Sequence, residues 1–481
     1  LTEAETPDPW ADDKLNRKPD GEHLIAYLLG RYRDRKAATG VGSYILNIDA
    51  AWGQGKTFFL DCLRKDLENR GHIVASVNAW KDDHADDPLV TLMAGIEKQI
   101  APRTKPNDAV DSAWSRGKRA MGAVAIEATK QVAIHALKTA TGIGIDKLIE
   151  VASSGKDKLD ESAFNAASDK LWEKGLEKLV SDRIGENIKA NEAIEVFRVQ
   201  TATALADLEK EGASAPFFVF VDELDRCRPT FAIRLLEDLK HLFSIDGLVF
   251  VVATDSEQLA HSVKAIYGSE FQSHRYLRRF FDSVFVFPDA DRSEFLKWQF
   301  EQRGIVLDES FFALGQISPL VHAVQWADGL KLSNRDIVQI LDIVQTFVLS
   351  FPHPLKIEIN LLLALSWAFY ESRELFEQVA KGNTGGDGFK KWRIRGQRYD
   401  SNRGQYLAVE SAHAVLTQAF NRMSDKLEDI ATPVAGDNWF APFWNDEMQR
   451  LYPQGYQQGR TPQSRMVEYA SRVRNAGRVL D

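Results

Sequence analysis

The chain has 481 residues, 60 Lys+Arg against 69 Asp+Glu, a formal net charge of −9, and 44% hydrophobic and 27% charged residues. That composition excludes disordered, collagen-like and coiled-coil classes, leaves room for several domains with a sizeable core, and argues against a surface that coats nucleic acid without specificity. Its two cysteines, Cys62 and Cys227, are too few for a disulfide framework or a four-cysteine zinc site, so a reducing, cytoplasmic setting is expected.

The opening run LTEAETPDPWADD is acidic and lacks the basic start and apolar stretch of a signal peptide. Leu24, Tyr27, Leu28 and Tyr32 recur at helical spacing, and Gly40 and Gly42 end the pattern. Tyr44–Ile48 reads as a strand. Phe59, Leu60, Leu63 and Leu67 then mark one helix face, with Gly71 as its stop. Ile73–Val77 predicts a second strand running into Asn78-Ala79-Trp80. Residues 101–200 are rich in Ala, Lys and Glu without a β-branched run, and are expected to be a helical insertion. Strand signals return at Phe217–Val221, Leu248–Ala253 and Val284–Phe287. Uninterrupted apolar runs alternating with helices imply parallel strands buried on both faces, an α/β doubly wound sheet.

After Pro288 the pattern is helical. Ile337, Ile340, Leu341, Val344 and Val348 share one face of a helix that Ser333 caps. The apolar run Ile359–Tyr370 is shorter than the ~18 residues a membrane span needs and predicts a buried helix. The glycine-rich, basic stretch Gly382–Gly404 is expected to be a loop. Lys390, Lys391, Arg393, Arg395, Arg398 and Arg403 interleave there with Trp392, Tyr399 and Tyr406. Such a run, Lys390–Arg403, suits a nucleic-acid backbone with stacked bases, a solvated loop, or a docking arm for an acidic subunit. The cluster Trp439, Phe440, Phe443 and Trp444 reads as core or interface.

Chemistry concentrates at a few strand ends. Gly53-Gln54-Gly55-Lys56-Thr57 lies between a strand and a helix, where small residues let backbone N–H groups turn onto phosphate oxygens. Lys56 would reach the β- and γ-phosphates and Thr57 would set its hydroxyl on Mg²⁺. The full pattern G-x-x-x-x-G-K-[ST] wants glycine at position 50, where this chain has Ala50. Asp222 and Glu223 end an apolar strand. The first is placed to hold Mg²⁺ through water, the second to polarise the attacking water. Thr254 or Asp255, ending another buried strand, could sense the γ-phosphate or simply cap a helix. Arg278 and Arg279 are candidate arginine fingers for a neighbouring subunit, or ordinary surface cations. Arg335, at the second position of a helix, opposes the helix dipole. A nearby anion, a nucleotide or a carboxylate such as Asp336, would reverse that sign.

AWGQGKT, VNAW, FVFVDELDRC, VFVVATD, YLRRFFDSVFVFP and SNRDI, in this order over residues 15–345, resemble the KAP-type P-loop NTPases. The resemblance implies an additional-strand, AAA+-like core of residues 41–100 and 201–290 behind a leader of 1–40. It implies a helical lid over 291–350 and an α-helical C-terminal region over 351–481. ATP with Mg²⁺ is the implied ligand, held by Trp52, Gly53, Gln54, Gly55, Lys56, Thr57 and Phe58 together with Thr254 and Arg335. Thr57 and Asp222 are implied on the metal, Glu223 as catalytic carboxylate, and Asn78 as its restraint if strand two neighbours strand three. A homo-oligomer acting with effector or defence partner proteins is implied, as for bacterial members that resemble parts of anti-phage systems. Many members carry membrane spans between the two phosphate-site motifs. Here Glu127, Lys130 and Lys138 interrupt the corresponding run Ala120–Ile145, so no transmembrane span is expected.

Overall fold

The computed structural model describes residues 7–81, 83, 88–104, 115, 194–242, 244–288, 291–352, 355–400, 405–431, 439–457, 459 and 461–477. The expected insertion over 101–200, with its segment Ala120–Ile145, lies almost wholly outside them, as does Arg403. Two compact units emerge: Leu1–Ala11, Pro19–Ala51 and Lys56–Phe287 form the first, and Asp12–Lys18, Trp52–Gly55 and Pro288–Asp481 the second.

The first unit is built on strands β1 (Tyr44–Asp49), β2 (His72–Asn78), β3 (Ser214–Asp222), β4 (Leu248–Thr254) and β5 (Ser283–Val286). All pairings are parallel, and the spatial order is β2-β3-β4-β1-β5. Strand β4 therefore separates the two chemistry-bearing strands β1 and β3. The period-2 rule explains the unbroken apolar runs. Leu46, Ile48, Phe218, Phe220, Val249 and Val251 face one side, where helices α1 (Lys18–Thr39) and α2 (Lys56–Asn69) bring Leu24, Leu28, Phe59 and Leu63. Ile45, Phe217, Val219, Val221, Phe250 and Val252 face the other, against α3 (Pro88–Thr104), a helix over 194–210, α4 (Pro229–Leu242) and α5 (Ser256–Tyr267). A short helix, α6 (Ser273–Leu277), leads to β5. Each large side chain fully removed from water adds roughly 1.5–3 kcal/mol.

The second unit is mostly helical. Its core gathers α7 (Ser293–Gln302), α8 (Pro319–Gly329), α9 (Asn334–Ser350) and α10 (Ile359–Glu371) with later helices, and takes in the cluster Trp439, Phe440, Phe443 and Trp444. The run from Ile359 to Ser366 and Ala368 is buried inside this unit while Tyr370 is exposed, and among the described residues no helix is long and apolar enough to cross a membrane. Ser333 caps α9 in a reciprocal box with Asp336.

The expected loop at Gly382–Gly404 is corrected. A helical turn at Asp387–Lys391 leads into β6 (Arg393–Asp400), which pairs antiparallel with β7 (Gln405–Ser411). Trp392 and Ile394 are fully buried while Arg393 and Arg395 are exposed, a strand alternation that dense charge obscured in the sequence. Gly388 serves close packing rather than flexibility, since a Cβ there would lie 2.9 Å from Trp367 and 3.0 Å from Leu330.

Glu358 sets a pH dependence for this unit. It caps α10 from a fully buried position, accepting from the backbone N–H groups of Asn360 and Leu361 and from the Asn360 side chain. Burial pushes its carboxyl up to about 7 despite those donors. Folded, the group keeps its proton to about 7; unfolded, it loses it near the ordinary 4.5, so stability falls as pH rises between the two. The full penalty above that window is on the order of 3 kcal/mol. His322, lowered chiefly by burial, acts with the opposite sign as pH falls through its ordinary value. Wild type and Glu358→Gln should therefore be compared at each pH. Denaturation followed by tryptophan fluorescence should show wild type gaining on the variant as pH drops from about 8 to about 5.

Candidate functional site

The loop Ala50–Thr57 connects β1 to α2 and is shared between the units, so each part is described with its own unit. In the first unit, Lys56 is only 9% exposed and its Nζ donates to the carbonyls of Ala50 at 2.5 Å and Ala51 at 3.4 Å. The lysine thus occupies itself with the oxygens of its own loop. Ala50 keeps ordinary backbone, because Asn16, Glu223 and Lys331 are the non-glycines at positive φ among the described residues. The glycine missing there costs no strain. In the second unit's part of the loop, Gly53 and Gly55 stand at φ 80° and 89°, a region that only glycine enters freely.

Thr57 donates its hydroxyl to Asp222 Oδ2 at 2.7 Å. Two of the sequence-predicted metal-holding residues therefore meet across β4. Asp222 Oδ1 also accepts from the Glu223 N–H at 2.8 Å. Glu223 itself turns at φ 60°, ψ 28°, a left-handed conformation that costs a non-glycine about 1–3 kcal/mol and directs it out of the strand line. Strand β2 does neighbour β3, with Asn78 in register with Asp222. The Asn78 Nδ2 donates to Glu223 Oε2 at 2.9 Å.

Thr254 is fully buried and donates to Asn47 Oδ1 at 2.8 Å, so in this state its hydroxyl is committed to β1. Asp255 caps α5 through the Gln258 N–H. Arg278 and Arg279 follow α6, exposed, and neither makes an ion pair with another described residue. Phe58, on the first turn of α2, is partly exposed.

In the second unit, Trp52 is half-exposed and its ring lies under the Arg335 guanidinium, 4.2 Å from the centroid. Asp336 is taken by the α9 cap and by the Tyr370 hydroxyl. Gly53 packs so tightly that a Cβ would meet Ser333 Oγ at 2.7 Å.

The sequence reading missed three residues. Asp225 lies in the turn after Glu223, where burial pushes its carboxyl above the ordinary range while the charge of Lys56 opposes the shift. Arg226 pairs with Glu223 Oε1 at 2.6 Å. The acid-to-base spacing of three in DELDRC was the available signal. Trp80, noted only as part of VNAW, stands against Arg226. Burial pushes the Cys227 thiol up to about 12, and its Sγ donates to the Glu223 carbonyl at 3.6 Å.

The donor set fits Mg²⁺. Thr57 and Asp222 supply hard oxygens, and this ion takes one or two protein oxygens while keeping waters and phosphate ligands. Glycines at positive φ ahead of a helix N-terminus fit a phosphate.

No curated protein matches the sequence. Among solved structures, the Aeropyrum pernix ORC2 protein, determined in ADPNP-ADP complexes, aligns at 11% identity and a TM-score of 0.33, covering 99% of each chain. Residues 39–310 match the KAP family P-loop domain. With a parallel sheet in the order β2-β3-β4-β1-β5 and the phosphate-loop pattern after β1, the chain belongs to the KAP family of P-loop NTPases.

Proposed function

We propose that the protein is a Mg²⁺-dependent ATPase whose hydrolysis drives conformational change in a homo-oligomer. The observation that carries this reading is the 2.7 Å hydrogen bond from Thr57 to Asp222, which joins the head of α2 to the tip of β3. The backbone N–H groups of Gly53, Gln54, Gly55, Lys56 and Thr57 bind phosphate oxygens, flanked by Trp52 and Phe58. Lys56 exchanges the carbonyls of Ala50 and Ala51 for β- and γ-phosphate oxygens. Thr57 and Asp222 would hold the ion, whose charge would offset that of the phosphates. Glu223 orients the water and accepts its proton as the water oxygen bonds to the γ-phosphorus and the bridging oxygen leaves with ADP. Asn78 restrains Glu223. Arg335 adds a cation above Trp52, and Arg278 or Arg279 completes the site of a neighbouring copy. The resemblance supports a place as the ATPase component of a bacterial anti-phage defence system, acting with effector proteins.

A nucleotide-gated scaffold that hydrolyses slowly and recruits an effector is the second reading. It is favoured by one observation: both Glu223 oxygens already carry donors.

Glu223→Gln should lower turnover by about 100-fold or more while nucleotide stays bound. Lys56→Ala should weaken binding itself. Equilibrium binding of a slowly hydrolysed ATP analogue beside steady-state phosphate release separates the two effects. Turnover that survives in Glu223→Gln removes the catalytic assignment.

Nucleic acid is the partner proposed for the ribbon face. Lys390, Lys391, Arg393 and Arg395 are exposed and make no ion pair with another described residue. Replacing all four by Gln should weaken duplex binding and flatten its salt dependence, by up to ~0.9 in log–log slope for each phosphate no longer neutralised. Unchanged affinity and slope would make this face a solvated surface.

A further inference from the structure

Two turns of the first unit are fastened to each other side chain by side chain. Asn78 ends β2 and the turn after it carries Trp80 and Asp83; the turn after β3 carries Glu223, Arg226 and Arg228. Ala79 donates its N–H to the Asp222 carbonyl at 3.0 Å. Asn78 holds Glu223 Oε2 at 2.9 Å, and Arg226 Nη1 holds Oε1 at 2.6 Å. The Arg226 guanidinium carbon lies 5.4 Å from the centre of the Trp80 ring. Arg228 Nε meets Asp83 Oδ1 at 3.0 Å.

The local geometry explains why Arg226 reaches its partner. Leu224–Arg226 form a 3₁₀ turn closed by the Arg226 N–H donating to the Glu223 carbonyl at 3.2 Å, which holds Arg226 beside Glu223. The pair is largely sheltered, with side-chain exposures of 31% and 16%, where a charge-assisted bond is stronger than a neutral one. One donor comes from β2 and the other from a cation resting on the turn after β2. Lys56 and Thr57 open the helix after β1, on the opposite flank of β3. Both donors to Glu223 are thus tied to β2 and its following turn, on the flank of β3 opposite Lys56 and Thr57.

We propose that Arg226, steadied by Trp80, is a positioning residue that holds Glu223 in a resting orientation and keeps basal hydrolysis low. Asn78 alone engages one oxygen; Arg226 closes the second, and Trp80 fixes where Arg226 can stand. This inference rests on the reading of Glu223 as the catalytic carboxylate.

The test measures kcat for ATP and the Kd of a slowly hydrolysed ATP analogue in the full chain, for wild type, Arg226→Ala, Arg226→Lys and Trp80→Ala, each with and without Glu223→Gln. Arg226→Ala should raise kcat several-fold with Kd changed by less than about twofold, a loss of ground-state restraint rather than of binding. Trp80→Ala should raise kcat by less. Arg226→Lys, which keeps the cation, should stay near the wild-type rate, and Glu223→Gln should abolish turnover in every background. Unchanged or lower kcat in both Arg226→Ala and Trp80→Ala, with Kd and melting temperature intact, overturns the inference. Turnover surviving in Glu223→Gln overturns the catalytic reading instead. Should Arg226→Ala fail to fold, Trp80→Ala decides, because its indole is 51% exposed and carries little of the core.

Discussion

The parallel insertion of β4 between β1 and β3 is the constraint on which the rest of the first unit depends. Because all these strands run the same way, their C-terminal ends open on one edge of the sheet. Lys56 and Thr57 begin the helix after β1, while Asp222 and Glu223 end β3. A single intervening strand sets their separation, and Thr57 spans it to reach Asp222. Strand β2, on the far side of β3, places Asn78 in register with Asp222 and so within reach of the next residue, Glu223. Each contact follows from strand order before any side-chain preference acts.

Most of the polar groups at this edge satisfy one another, the buried Asp225 Oδ1 being an exception. Lys56 bonds carbonyls of its own loop, Thr57 bonds Asp222, Thr254 bonds Asn47, and Glu223 takes Asn78 and Arg226. A buried lysine or carboxylate left unmatched would be costly, so a site built for a charged ligand needs internal partners to remain folded on its own. Those same partners must be exchanged for ligand contacts. In this sense the groups that stabilise the edge also set how readily it can respond.

Much of this was legible in the sequence. Strands buried on both faces declare themselves as unbroken apolar runs, and Phe217–Val221 and Leu248–Ala253 did so. The glycines, Lys56 and Thr57 stood out because few other arrangements require that spacing. Asn78 was visible only conditionally, since its meaning depended on which strand lies next to β3. Arg226 and Asp225 were hidden for a related reason: a 3₁₀ turn after a left-handed Glu223 has no periodic signature, and the turn alone makes residues three apart meet. The β6–β7 ribbon was misread because its inward residues, Trp392 and Ile394, are outnumbered by the cations between and around them.

Gly53 is confined twice over. Its backbone stands at φ 80°, and the space where a side chain would begin is already filled by Ser333 and Arg335. Any replacement would disturb the conformation of the loop and the packing around the cap of α9 together. An altered nucleotide affinity in such a variant would therefore report local repacking as much as a weakened grip on phosphate. Position 53 is a poor place from which to weigh what the N–H cradle alone contributes.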